Sequence, residues 1–120
     1  MSEEEIPTGF GWITIRGTTY RHDIIIHADR TITKRQKKKS KPFAEEYQHT
    51  PLSELELDFL ESESPEIIYI GSGQSGALPV TPGAEKILKR YGFAIAPTPE
   101  ILLHLDEEKR RYIAFIHVTC

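Results

Sequence analysis

The segment Glu66-Ile67-Ile68-Tyr69-Ile70, followed at once by Gly71-Ser72-Gly73-Gln74-Ser75-Gly76, constrains this chain more than any other. A short run of β-branched and aromatic residues without polar alternation is the pattern of a strand buried on both faces. Such a strand needs cover above and below, which predicts an α/β domain. The glycines then end it in a tight turn, where a chain without Cβ atoms can bend or pass close to a neighbour.

The residues after the turn fit that prediction. Ala84, Ile87, Leu88 and Tyr91 recur at helical spacing, and Gly92 suits the left-handed position that closes a helix. Phe93 to Ala96 reads as a strand, Pro99 to about Asp106 as a short helix, and Tyr112 to Val118 as a closing strand. Upstream, Pro51 to about Glu61 places Leu52, Leu55 and Phe59 on one helical face. Thr50-Pro51, Thr81-Pro82 and Thr98-Pro99 each offer a capping hydroxyl followed by a proline suited to the first helical turn.

The first third of the chain has the alternation of antiparallel sheet. Trp12 to Ile15, Ile24 to Ile26 and Thr31 to Thr33 are strands, with turns at Gly17-Thr18 and Ala28-Asp29-Arg30. The expected architecture is one three-layer α/β domain over residues 1–120. Its mixed central sheet is flanked by helices, and a small antiparallel sheet comes from the N-terminal strands. A hydrophobic fraction of 38% and a charged fraction of 28% suit a globular chain rather than a disordered one. The acidic start Met1-Ser2-Glu3-Glu4-Glu5, the single cysteine and the lack of a long apolar run point to the cytoplasm and to no membrane contact.

Charge is unevenly spread. Lys34, Arg35, Lys37, Lys38, Lys39 and Lys41 form a basic run in a loop carrying Pro42; removing these six from a net charge of −3 leaves −9. The bulk charge argues against DNA binding, so an RNA role would rest on this run alone. No aromatic residue interrupts the run to stack on bases, and a solvated loop is its plainer reading.

Gly71 to Gly76 matches the G-x-G-x-x-G pattern of dinucleotide-binding turns. That chemistry requires a helix to begin inside the turn, so that its N–H groups meet the pyrophosphate. Pro79 and Pro82 delay the helix to about Thr81, and no acidic residue ends the following strand, so no nucleotide cofactor is expected. Two readings of the turn are left. It is a close-packing connection, or its N–H groups and the side chains of Ser72, Gln74 and Ser75 hold a small ligand or anion. In the second case Gly71, Ser72, Gly73, Gln74, Ser75 and Gly76 form the site, with His49 or His117 beside them.

Ser75 lacks the surroundings of a nucleophile elbow, because Ala77 replaces the second glycine and no helix follows at once. A base would have to come from His49, His104 or His117. His117 and Cys120 are poor joint metal ligands, since residues three apart in an extended strand face opposite ways. No catalytic set, metal or cofactor is expected.

Glu66 to Gly76, together with Leu78 and His117-Val118-Thr119-Cys120, resembles the Mth-domain family. Ile24-Ile25-Ile26, His49 and Thr98-Pro99-Glu100 match it more loosely. The resemblance implies the three-layer fold described above and no agreed catalytic activity. It also implies a non-enzymatic role through a protein partner, because the family includes an adipogenesis-associated protein and a mitochondrial assembly factor for respiratory complex I.

Overall fold

In the computed structural model, which describes residues 7–119, eight strands form two sheets. The small antiparallel sheet contains β1 (Thr8–Gly9), β2 (Trp12–Ile15) and β3 (Thr18–Tyr20). The β2–β3 hairpin turns through Arg16 and Gly17, both left-handed at φ 49 and 85°, so Thr18 starts a strand instead of ending the turn.

The larger sheet has five strands in the order β5 (Ile32–Lys34), β4 (Ile24–Ile26), β8 (Tyr112–His117), β6 (Ile67–Ser72) and β7 (Gly92–Ala96). β6 runs parallel to both β7 and β8, whereas β4 runs antiparallel to β5 and β8. The sheet is therefore mixed, and β6 is an interior strand as its composition requires. The isoleucine strand β4 and its hairpin partner β5 join this sheet rather than the small one.

Strand alternation divides the core in two. Ile25, Ile68, Ile70, Ile113 and Phe115 face one side, under α3 (Pro82–Leu88) and the chain between Leu52 and Leu60. Ile24, Ile26, Tyr69, Ala114 and Ile116 face the other, against α4 (Thr98–Leu105) and Ile13 of the small sheet.

Several expected elements differ. No continuous helix spans Pro51 to Glu61, because its backbone is committed elsewhere. Leu52 N–H donates to the Pro79 carbonyl (2.9 Å), Thr81 N–H donates to the Leu52 carbonyl (3.0 Å), and the Pro51 carbonyl accepts from Arg35 (2.9 Å). What forms is a 3₁₀ turn, Glu54–Glu56, capped by Ser53, and a short α2 (Leu60–Glu63); Leu55 is exposed. The basic segment is a 3₁₀ helix, Lys37–Phe43, that leads directly into the one-turn helix α1 (Ala44–Tyr47).

Of the three Thr-Pro pairs, Thr81-Pro82 caps as expected: the Thr81 hydroxyl accepts from Ala84 N–H at 3.1 Å. Thr50 precedes no helix, and the Thr98 hydroxyl bonds outside its own helix. Gly92 is not a left-handed helix terminator. It begins β7 opposite Ile67, and α3 closes through right-handed Lys89, with Arg90 and Tyr91 donating to Ile87 and Leu88.

Candidate functional site

The glycine turn is built around packing. Gly71 and Ser72 still belong to β6, and the bend begins at Gly73, whose φ of 104° needs glycine. Gly73 N–H donates to the Thr98 hydroxyl (3.0 Å), and Thr98 N–H donates to the Gly73 carbonyl (2.9 Å). The Thr98 hydroxyl in turn donates to the His117 carbonyl at 2.6 Å. A Cβ on Gly71 would lie 2.8 Å from that hydroxyl and 3.2 Å from Thr98 Cα, so only glycine lets α4 start this close to β6. Gln74 N–H donates to the Thr119 carbonyl (2.7 Å), Gly76 N–H to the Gly73 carbonyl (3.3 Å) and Leu78 N–H to the Ser72 carbonyl (3.0 Å). Gln74 Nε2 reaches the Thr8 hydroxyl of the small sheet at 3.1 Å. These groups tie the turn to β8, α4 and β1. Ser72 is buried, while Ser75 and Gly76 are exposed.

Parallel pairing sets Ser72 beside His117, at the carboxyl ends of adjacent strands, the edge at which α/β sheets commonly place ligands. His117 has only 8% of its surface exposed. Its Nδ1 lies 2.7 Å from Asp23 Oδ2, and its Nε2 lies 3.2 Å from the Thr119 hydroxyl. Asp23 Oδ1 accepts from Val118 N–H at 2.9 Å, and Oδ2 also accepts from Arg35 at 2.9 Å. Burial by itself would raise the Asp23 pKa. The His117 hydrogen bond and charge, the Val118 N–H and the Arg35 guanidinium outweigh it and hold that carboxyl at about 2. An ionised carboxylate only accepts hydrogen bonds, so Asp23 fixes the His117 proton on Nδ1 and leaves Nε2 turned to Thr119.

Behind Asp23 the network continues inward. Arg35 grips Glu56 with two parallel hydrogen bonds of 2.8 Å, Nε to Oε1 and Nη2 to Oε2. Glu56 Oε2 also accepts from the Ser40 hydroxyl at 2.5 Å, and Ser40 lies 2.6 Å from the Ser53 hydroxyl. Arg35 is 4% exposed and Glu56 only 2%. Burial disfavours the Arg35 cation, but Glu56 and Asp23 raise its pKa above the ordinary arginine value. Among the described residues, no buried side-chain polar atom lacks a partner.

A cleft of about 80 Å³ opens beside His117, lined by Lys37, His49, Thr50, Ala77, Leu78, Pro79 and Thr119. The structure therefore brings His49 and His117 to one cleft. The glycine turn contributes through the residues just after it, since none of Gly71 to Gly76 lines the opening. Lys37 arrives from the basic segment. Of that segment, Arg35 is withdrawn into the buried network, and Lys39 pairs with Asp58 at 3.0 Å. His104 lies elsewhere, stacked on Tyr69 with ring centroids 6.2 Å apart. Cys120 lies outside the described residues.

Asp23, Arg35 and Glu56 were not legible as site residues. Asp23 carried one usable signal: an acid abutting three buried isoleucines must find a partner. Arg35 read as one more cation in a basic run, and nothing in the sequence joins it to Glu56, 21 positions away.

Fold and site define a mixed-sheet α/β domain with a polar cleft at the carboxyl ends of β6 and β8. The chain belongs to the family of the conserved hypothetical protein PH1505 from Pyrococcus horikoshii OT3, whose crystal structure matches it with a TM-score of 0.83 at 30% identity, over 94% of this chain and 96% of that one. A second solved structure, MT938, matches with a TM-score of 0.76 at 38% identity, over 94% of this chain and 95% of that one. No protein-family model and no curated protein matches the chain.

Proposed function

We propose that the chain is a non-enzymatic small-ligand-binding domain whose site is the cleft between His117 and His49. The observation that carries this reading is the Asp23–His117 pair. A buried, ionised carboxylate holds one imidazole in a single tautomer, with its other nitrogen beside Thr119 at the edge of an open cleft. Packing alone does not require a histidine there. The cleft volume of about 80 Å³ is far below the roughly 300–1,000 Å³ of pockets that enclose drug-sized molecules, so the ligand is small.

A fragment screen read by thermal shift and NMR tests the proposal. Hits should perturb Thr50, Leu78, His117 and Thr119, and Ala77→Phe, which fills the opening from an exposed position, should abolish them. Hits that map elsewhere, or that survive Ala77→Phe, would overturn it.

A second reading, a protein-partner or assembly-accessory role, is supported by β7 and by the resemblance to the Mth-domain family. β7 is an edge strand of five residues without a charge, and its Ile95 is 43% exposed. Natural edge strands are usually blunted by charge, and an uncharged one offers its backbone for pairing. Affinity capture from the native cell should return a partner that Ile95→Lys loses; a partner retained by that variant would count against the edge.

A further inference from the structure

The side chains around the cleft differ in kind from the rest of the molecule. The whole chain carries a net charge of −3, yet the ionisable groups lining the cleft are Lys37, His49 and His117, all bases. Thr50 and Thr119 add hydroxyls, and Ala77, Leu78 and Pro79 add apolar wall. No carboxylate is among the lining residues. Asp23 stands behind His117, bonded to His117 Nδ1, Arg35 and Val118 N–H. Glu56 lies deeper still, gripped by Arg35 and Ser40. Their negative charge is thus already committed to donors on the protein.

The ionisable groups facing the opening are bases and its other polar side chains are hydroxyls, converging from three parts of the chain: the 3₁₀ segment, the loop holding His49 and the end of β8. Resting on the proposal that this cleft is the ligand site, we infer that its ligand is a small oxyanion, a carboxylate or a phosphate group. The Lys37 ammonium supplies charge at the exposed rim. His49 supplies an imidazole contact and Thr50 a hydroxyl, whereas His117 Nε2, the acceptor nitrogen of the tautomer that Asp23 fixes, takes the Thr119 hydroxyl at 3.2 Å and bounds the cleft beside the anion. The volume of about 80 Å³ restricts the bound part to the anionic head group itself.

The test uses acetate against acetamide, a pair alike in shape and different in charge, with inorganic phosphate and methyl phosphate as further probes. The full chain, labelled in its histidine rings, is titrated and followed by NMR. Acetate or phosphate should shift the His117 and His49 ring signals saturably, whereas acetamide should leave them in place. Lys37→Ala, at an exposed position, should weaken anion binding about tenfold, the order expected for one charge-assisted hydrogen bond. Methyl phosphate binding as well as inorganic phosphate would place the anion on a larger molecule; binding of the free ions alone would make it a free metabolite. Either result supports the inference. Acetamide binding as well as acetate, or anion shifts that Lys37→Ala leaves unchanged, would overturn it while the cleft stands as a site for neutral ligands. If Ala77→Phe also fails to affect any probe, the cleft reading falls with it.

Discussion

Asp23 and His117, 94 positions apart, meet at 2.7 Å where β4 and β8 lie side by side. Asp23 precedes β4 and His117 ends β8, and the antiparallel register that pairs Ile24 with Ile116 sets them together. The contact joins a solvent-facing cleft to a buried arginine through one carboxylate, so its strength governs both the site and the stability of the sheet edge beneath it.

Acid should reveal that carboxylate. Folding lowers the Asp23 pKa from 3.8 to about 2, so the folded state favours the ionised form. The stabilisation is fully present above the unfolded value and is lost as pH falls through the folded one. At 1.36 kcal/mol per unit, Asp23 contributes about 2 kcal/mol that disappears between roughly pH 4 and pH 2. Urea denaturation across that range should show the loss in the natural chain and a flatter profile in Asp23→Asn.

Arg35 neutralises two buried carboxylates, so its removal strands both. Arg35→Ala should destabilise the fold by about 3–5 kcal/mol, the usual cost of leaving a buried charge uncompensated. Lys38→Ala, three positions along the same basic run but exposed, should change stability by less than about 0.5 kcal/mol. Paired chemical denaturation curves separate the two.

Thr98 serves as a bridge. Its hydroxyl accepts from Gly73 N–H and donates to the His117 carbonyl, both in buried surroundings. Thr98→Val keeps the shape but leaves both partners unsatisfied, at about 1–3 kcal/mol for each. Thr98→Ser keeps the hydroxyl and should lose much less. Thermal unfolding of the three proteins, with amide exchange at Gly73, checks this.

Gly71 measures the close approach of α4 to β6. Gly71→Ala brings a Cβ within 2.8 Å of the Thr98 hydroxyl and 3.2 Å of its Cα, and the second contact is backbone that cannot swing aside. A loss of about 1–3 kcal/mol is expected from the overpacking. Ala at exposed Gly17, where no atom lies within 4 Å of the new Cβ, should cost only the strain of its left-handed φ of 85°.

The elements legible in the sequence are those whose signal is local. Ile67 to Ile70 is apolar at every position because both faces of β6 are covered, and Tyr112 to Ile116 is apolar for the same reason. Thr81-Pro82 announces α3 because the cap lies within one turn of the groups it satisfies. The stretch from Pro51 to Glu61 misleads because its apolar spacing is helical while the backbone groups at its start bond to Pro79, Thr81 and Arg35, all supplied from outside the segment. The misreading of Gly92 is of the same kind: its partner Ile67 is 25 positions away in β6.

The candidate site divides along the same line. His49, His117 and the glycine turn are recognisable as polar or flexible groups in an α/β chain, and the sequence by itself placed the turn at the end of one strand and His117 within the closing one. Their convergence was decided by tertiary structure. Parallel pairing of β6 with β8 puts Ser72 beside His117, antiparallel pairing of β4 with β8 puts Asp23 under it, and the burial of Arg35 turns one cation of a basic run into the counter-ion of two carboxylates. Side-chain type is a property of each residue, whereas proximity and desolvation belong to the folded chain. The glycine turn therefore emerges as the packing joint that brings Leu78 and Pro79 to the cleft, with His117 as the residue that faces it.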